Sequence, residues 1–396
     1  MNKSNDASCL PPFVFVDDAH TFGGAQIALA WAIRATLHQF QQPVVCVCTP
    51  AIKEAIQRIT GADDRLRFVE CPPALSLNLF RFPVRLGRFY KLLSPIVREG
   101  ASVWWLNLSG IEFCLAPLLI LRFLRVRPAA WLHNSQPLLF YSANTSAFRR
   151  CLSRLRDAVA NKCLFRLYRL IVTPSHATEV ELKTRFRGGL PPSTGFLHPH
   201  VGLLDPRDGL RTEIGTSADG GLNIWMIGRL DYAHKNNLVV LEVLRLLCAR
   251  GQSARLTVVG DGPDMASFRS SACEQGLSGL ITFVGWKKDP WQSVPNDAVV
   301  LIPSLFEAMP MVATEAMLRG IRIATSPIPA FEEGSPQQVI AASLSPQDFA
   351  SKVEEVSAMP RETIIALYGE ALKKFTEEAF AEKFGHLLKV ATAERS

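Results

Sequence analysis

A two-domain α/β protein built on parallel sheets is what this sequence predicts, on three observations. Short β-rich apolar runs alternate with longer helical patterns from end to end, the layout of parallel α/β layers. The chain has 396 residues, too many for one ordinary core. One segment, Gly188 to Gly221, breaks the rhythm with Gly, Pro and Ser and reads as an interdomain connection. A content of 48% hydrophobic and 20% charged residues fits a globular chain, not a disordered one.

In order, the first-half strands are expected at Phe13–Val16, Val44–Cys48, Val103–Leu106, Ala129–Leu132 and Leu170–Thr173, with a helix over Ala25 to His38. The second half resumes with Leu222–Ile227, a helix from about Asn237 to Arg250, and Arg255–Val259. Ile281–Val284, Ala298–Ile302 and Ile321–Ala324 complete its sheet. A charged amphipathic helix, about Glu370 to Lys389, closes the pattern. The expected domains are 1–200 and 201–372, with a helix over 373–396 free to pack back on the first.

Composition excludes several classes. Nine cysteines, an odd number without a Cys-x-x-Cys pair, argue against a disulfide framework or zinc ribbon and for buried thiols in a reducing cytosol. Met1 to Leu10 is polar, and the apolar run after it is too short for a signal core. The best membrane-spanning candidate, Val103 to Leu124, is interrupted by Asn107, Glu112 and Pro117, so a buried strand, a turn at Ser109-Gly110 and a core helix explain it better.

Charge is uneven. Residues 1–190 carry 24 basic and 12 acidic side chains, against 19 and 24 in the remainder. Arg85, Arg88 and Lys91 recur at helical spacing among Leu86, Phe89, Leu92 and Leu93. A second basic run from Arg150 to Arg169 flanks Leu152, Leu155, Val159 and Leu167. These segments suit an anionic membrane surface, and equally core-facing helices with solvated basic faces. Nucleic acid is not expected as a partner, because no helix-turn-helix, zinc finger or single-strand-binding motif is present.

The chemistry concentrates around Glu307 and Glu315. Glu307 falls in a loop after the strand Ala298–Ile302, and Pro310 then opens a helix. Glu315 follows about one and a half turns into it. A helix N-terminus beside one carboxylate, with a second along the helix, suits a sugar and a ribose joined by a diphosphate. In Ile227-Gly-Arg-Leu-Asp-Tyr-Ala-His-Lys-Asn236 a strand ends at Gly228, and Arg229 and Lys235 stand in the following loop. Two cations there can balance a diphosphate through charge-assisted hydrogen bonds of about 1.5–3 kcal/mol each.

Gly23-Gly24 precedes the first helix, where backbone N–H groups can approach a phosphate or a sugar closely. His133 ends a strand, the edge where open α/β sheets place ligands, and a hydrogen-bonded histidine near the core is the equal alternative. No Asp-x-Asp occurs, so a metal-held diphosphate is not expected and no metal or other cofactor is assigned.

Together Gly228-Arg229 with Lys235, the Glu307/Glu315 pair, Gly23-Gly24 and His133 resemble a retaining glycosyltransferase of the GT-B fold, family 4. Val172-Thr-Pro-Ser-His-Ala177, Val258-Val-Gly-Asp-Gly-Pro263 and Phe283-Val-Gly-Trp286 resemble further landmarks of that family, so the likeness covers nearly the whole chain. The resemblance implies two Rossmann-like domains with a nucleotide sugar in the cleft between them, UDP being the default nucleotide.

It also implies roles. Arg229 and Lys235 grip the diphosphate, Glu315 binds ribose hydroxyls, and Glu307 lies beside the donor sugar. His133 contacts the sugar, Gly23-Gly24 approach the phosphate or acceptor, and the N–H groups of Met311 and Val312, after Pro310, face the donor. Ala308 stands where the family has Gly, and Pro199-His-Val-Gly202 replaces the usual Asn-Gly-Val-Asp turn.

The implied activity is transfer of a hexose to a lipid-linked or lipopolysaccharide-type glycan, in the cytoplasm or on the inner face of its membrane. A nucleotide-sugar epimerase or hydrolase on the same frame, and a non-catalytic sugar-nucleotide-binding subunit, are the alternatives.

Overall fold

The computed structural model describes residues 10–19, 23–72, 82–108, 114–133, 158, 163–186, 189–191, 193–198, 221–287 and 289–393. The Ser109-Gly110 turn, most of the second basic run and the turn at 199–202 lie outside the described residues. The chain divides into two compact units. One comprises Met1–Phe140, Asn144–His200 and Phe375–Ser396, the other Tyr141–Ala143 and Val201–Lys374.

Among the described residues the first unit holds seven strands, β1 (Phe13–Asp17), β2 (Val44–Cys48), β3 (Leu66–Glu70), β4 (Val103–Leu108), β5 (Ala129–Leu132), β6 (Leu170–Thr173) and β7 (Ser193–Phe196). Their order is β3-β2-β1-β4-β5-β6-β7, every neighbouring pair parallel. Phe13 stands opposite both Val44 and Val103. β1, β2 and β4 are buried along their whole length, which explains why they read as unbroken apolar runs and not alternating ones.

Alternate residues of these strands feed two cores. Phe13, Phe15, Trp105 and Trp131 face one, and Val14, Val16, Trp104 and Leu106 the other. The helix Glu377–Ala393 completes the first core with Phe380, Phe384, Leu387, Leu388 and Ala391. Phe384 meets Trp105 edge-on at 5.1 Å between ring centres. Full burial of each large side chain contributes about 1.5–3 kcal/mol, so several together hold this helix firmly to its sheet.

The second unit has a five-stranded parallel sheet of β8 (Leu222–Ile227), β9 (Ala254–Val259), β10 (Ile281–Gly285), β11 (Val299–Ile302) and β12 (Arg322–Thr325), in the order β10-β9-β8-β11-β12. Both sheets are doubly wound. Strand order reverses between β1 and β4 in one and between β8 and β11 in the other, and open α/β sheets bind ligands outside the strand carboxyl ends at such points.

Four differences from the sequence-based expectation have physical causes. β7 lies inside the segment expected to be only a connection; Ser-Thr-Gly-Phe carries no apolar alternation, and its residues are half-buried at a sheet edge. β3 was not expected either, because an edge strand of half-exposed residues leaves a weak pattern. The final helix is two, Arg361–Leu372 and Glu377–Ala393, separated by a 3-10 turn whose Phe375 is buried. Thr376 caps the second, its Oγ1 accepting the Ala379 N–H, with Glu377 and Glu378 in the favourable first turn. Pro310 is the N-cap, and the helix begins at Met311.

Candidate functional site

The reversal point of the second sheet is where the charged residues gather. β8 ends at Ile227, and Gly228 follows with φ of +135°, a conformation that suits glycine. β11 ends at Ile302, and the loop after it reaches Glu307. Backbone bonds stitch the two loops together, the His234 carbonyl accepting the N–H groups of Leu305 at 2.8 Å and Phe306 at 3.3 Å. This stitching holds Lys235 against Glu307.

Lys235 Nζ lies 2.5 Å from Glu307 Oε1, and the buried Ser304 hydroxyl donates to the same oxygen at 2.8 Å. An ammonium has three protons, so donor capacity remains for a phosphate oxygen after Glu307 has taken one. Arg229 pairs with Asp231 Oδ2 at 2.8 Å, and His234 Nδ1 lies 3.1 Å from the same oxygen. The Asp231 N–H is held by Asn237 Oδ1 at 2.8 Å, which fixes the loop carrying Arg229. With 62% of its side chain exposed, Arg229 retains donors toward solvent.

Glu315 has a different setting. It lies on the helix Met311–Leu318, where its Oε2 accepts the Trp291 indole N–H at 2.7 Å. The Arg319 guanidinium sits over the Trp291 ring, 5.1 Å from its centre. Burial pushes the Glu315 carboxyl above its ordinary range, against the Trp291 hydrogen bond and the Arg319 charge, which favour ionisation. At the start of this helix the Pro310 carbonyl accepts from Ala313 and Thr314, while the Met311 N–H already bonds the Met309 carbonyl at 3.0 Å. Val312 is half-buried in that first turn.

The other two expected positions belong to the first unit. Gly23 is the N-cap and Gly24 the first residue of the helix Gly24–Gln39, with the Gly23 N–H donating to Gln26 Oε1. Among the described residues, a Cβ at Gly23 would meet nothing closer than that oxygen at 3.7 Å. His133 follows β5, its Nε2 2.8 Å from Asn107 Oδ1 and its ring 4.6 Å from that of Trp131. Burial lowers its pKa to about 3, so the imidazole is neutral near pH 7.

The structure thus joins Lys235 to Glu307 directly. Lys235 ends a one-turn helix, Tyr232–Lys235, where a loop was expected, while Arg229 stands in the loop just before it, paired with the N-cap Asp231. Among the described residues Glu315 makes no hydrogen bond to any of these three. Residues that sequence reasoning did not single out include Ser304, Asp231, His234 and Trp291 in this unit, and Asp17, Asp18 and Asn107 in the other. A polar side chain at the carboxyl end of an otherwise apolar strand is the signal for Asp17 and Asn107. Arg85, expected on a lipid-facing or solvated basic face, pairs instead with the buried Asp18.

Residues 221–358 match the family described as Glycosyl transferases group 1. A 2-deoxystreptamine glucosyltransferase of Streptomyces kanamyceticus is 32% identical over 124 residues, 29% of this chain and 30% of that protein. A lipopolysaccharide 1,6-galactosyltransferase of Salmonella typhimurium is 34% identical over 71 residues, 17% of this chain and 20% of that protein. The chain therefore aligns with less than a third of either relative's length. The crystal structure of Anabaena HepE in complex with UDP and glucose superposes with a TM-score of 0.68 over 96% of this chain and all of that one, at 14% identity. Two doubly wound parallel sheets in this order give the chain the GT-B fold, and the match over residues 221–358 makes its second unit similar to the glycosyl transferases group 1 family.

Proposed function

We propose that the protein transfers a hexose, with retention of anomeric configuration, from a nucleotide-diphosphate sugar to a lipid-linked or lipopolysaccharide-type glycan, UDP-sugar being the donor. The observation that carries this reading is the Lys235–Glu307 pair at the reversal point of the second sheet, with Arg229 in the loop just before the short helix that carries Lys235. In the proposed step the bond from the anomeric carbon to the phosphate oxygen breaks, and its electron pair leaves with the nucleoside diphosphate. Lys235 and Arg229 balance that charge. The acceptor hydroxyl oxygen bonds to the same face of the sugar, and its proton passes to the departing phosphate. Glu307 orients sugar hydroxyls or stabilises the cationic anomeric centre, and the Glu315 carboxylate accepts from the ribose.

HepE was solved with UDP and glucose, and two curated relatives are named as lipopolysaccharide 1,6-galactosyltransferases. Those names favour UDP and a surface glycan as the first substrates to test. Thermal shift against UDP-, GDP- and ADP-sugars is the direct experiment. A donor at a hundred times its Kd stabilises the native state by about 2.7 kcal/mol, and UDP-sugars are expected to raise Tm while the others do not. No shift with any of the three, and no sugar transfer to extracted glycolipid, would refute the reading.

The same function would bring the enzyme to an anionic membrane. On the helix Phe82–Arg98 and its neighbour Leu115–Phe123, Val84 and Phe123 are 62% and 73% exposed, beside the basic Arg88 and Lys91. Tyr90 meets Phe123 edge-on at 6.1 Å between ring centres. Exposed apolar groups among cations suit a headgroup layer, where each Lys or Arg contributes about 1 kcal/mol. Flotation with vesicles containing anionic lipid, lost when Phe123→Ser and Lys91→Glu are combined, is the expected result. Equal flotation with neutral vesicles, or none, would count against it.

A further inference from the structure

The reversal point of the first sheet holds a buried polar chain that the proposed chemistry does not explain. Asp17 ends β1, Asn107 lies near the end of β4, and His133 follows β5, three neighbouring strands in one sheet. Asp17 and Asn107 have no exposed surface. Asp17 Oδ1 accepts the Ala19 N–H at 2.9 Å, and its Oδ2 accepts from Asn107 Nδ2 at 2.6 Å and Gln26 Nε2 at 3.0 Å. Asn107 Nδ2 also donates to the Ala25 carbonyl at 3.2 Å.

This arrangement leaves the Asn107 amide one orientation. Both groups on one side of it, the Asp17 carboxylate and the Ala25 carbonyl, are acceptors, so the NH2 must face them. Its oxygen must then face His133. A carbonyl oxygen only accepts, and His133 Nε2 lies 2.8 Å from it, so Nε2 must carry the proton. A neutral imidazole with a proton on Nε2 has its lone pair on Nδ1. Contact with the Trp131 ring, tilted 36° to it, restrains the imidazole as well.

We infer that Asn107, clamped by Asp17, acts as a positioning residue that holds His133 in the Nε2–H tautomer, so that Nδ1 is an acceptor for a sugar hydroxyl and not a donor for a phosphate oxygen. The ligand half rests on the glycosyl-transfer reading above, whereas the tautomer half stands on the hydrogen-bond chain alone. The consequence is chemical selectivity. A hydroxyl can donate its proton to Nδ1, while a phosphate, which needs donors, finds none at Nδ1 of a neutral ring.

Nitrogen-15 NMR of histidine-labelled full-length protein tests this, with His133 identified by its absence from a His133→Gln sample. The expected spectrum has a protonated Nε2 and a bare Nδ1 from about pH 7 to about pH 8, above the Asp17 carboxyl, which burial raises to about 6. A proton on Nδ1, or titration of the ring within that interval, would overturn the inference, and wild-type protein alone decides it. In Asn107→Leu, similar in shape, both nitrogens are expected to move toward the average of two tautomers. Asn107→Ser serves should the leucine variant not fold. An unchanged tautomer in a folded variant would remove Asn107 from the role.

Addition of UDP-glucose or UDP-galactose should shift the Nδ1 resonance, and UDP alone should not. A bound sugar nucleotide that leaves Nδ1 unmoved would sink the hydroxyl assignment. No binding by either would overturn the donor reading and the ligand half together, with the tautomer still read independently.

Discussion

Lys235→Met is expected to lower kcat for sugar transfer about a hundred- to a thousand-fold, with a much smaller change in Tm. Methionine keeps the length and apolar stem of lysine but removes the charge 2.5 Å from Glu307. The effect on rate follows from the proposed role. A charge aimed at the leaving diphosphate stabilises the transition state more than the ground state, and losing one such group typically costs about 10²–10³ in kcat.

The effect on stability is small because Glu307 still accepts the Ser304 hydroxyl at 2.8 Å. The pair is only partly buried, the lysine side chain being 29% exposed. Lys235→Arg should not restore the rate, since a planar fork cannot replace a compact ammonium in the same place. Glu307→Gln should fall comparably, and the double variant less than the product of the two, because the residues act as a unit. Full turnover by Lys235→Met would leave the proposed chemistry without its central cation, whereas no turnover by the wild type with any donor would make a non-catalytic binding subunit the better reading.

Gly260→Ala is expected to destabilise the second unit by about 2–5 kcal/mol or to prevent its folding. A Cβ at this position would lie 1.9 Å from the Gly228 carbonyl oxygen and 2.8 Å from its carbon. Those are backbone atoms and cannot swing aside as a side chain would. Gly260 also has φ of +139°, which an L-residue adopts only under strain. Overpacking of about 1–3 kcal/mol and strain of about 1–2 kcal/mol add to the stated range.

Any relief must displace Gly228, the residue before Arg229, so surviving protein should also bind a donor more weakly. Gly279→Ala is the control. Nothing lies within 4 Å of a Cβ there, and its stability should stay within about 0.5 kcal/mol. Urea unfolding of the full chain compares the two variants. Equal midpoints would show that the close approach of the two loops is not needed.

The contact also explains the sequence run Val258-Val-Gly-Asp-Gly-Pro263, notable at first only as a resemblance. Gly262 repeats the device, its Cβ position 2.2 Å from the Leu230 oxygen. The two glycines let one loop lie backbone against backbone on the loop that presents Arg229.

Strands buried on both faces were the most legible part of the fold. β1, β2, β4, β5 and β11 are apolar runs whose type and approximate limits can be read directly. β3 and β7 escaped because they lie at edges, where pairing with a neighbour decides the conformation and side-chain pattern says little. The break at Lys373–Phe375 escaped because helical periodicity continues on both sides, and only burial of Phe375 reveals the turn.

In the candidate site, Lys235 and Glu307 were readable because each stands just past a strand end. Trp291 was not, since its bond to Glu315 spans 24 positions and depends on where the loop after β10 returns. The Asp17–Asn107–His133 chain needs strand order, which places β4 between β1 and β5. Arg85 shows the limit of charge patterning, because its partner Asp18 lies 67 positions away and is buried.

The helix Glu377–Ala393 comes after the whole of the second sheet in sequence, yet its phenylalanines lie beside Phe15 and Trp105. On the ribosome, the first unit must therefore wait for a segment made after the whole of the second sheet. Until then an apolar trough along its sheet stays wet, while the later half can close as soon as its own strands have left the exit tunnel. Birth order and completion order are reversed in this molecule, and nascent-chain chaperones have their longest task with the amino-terminal half.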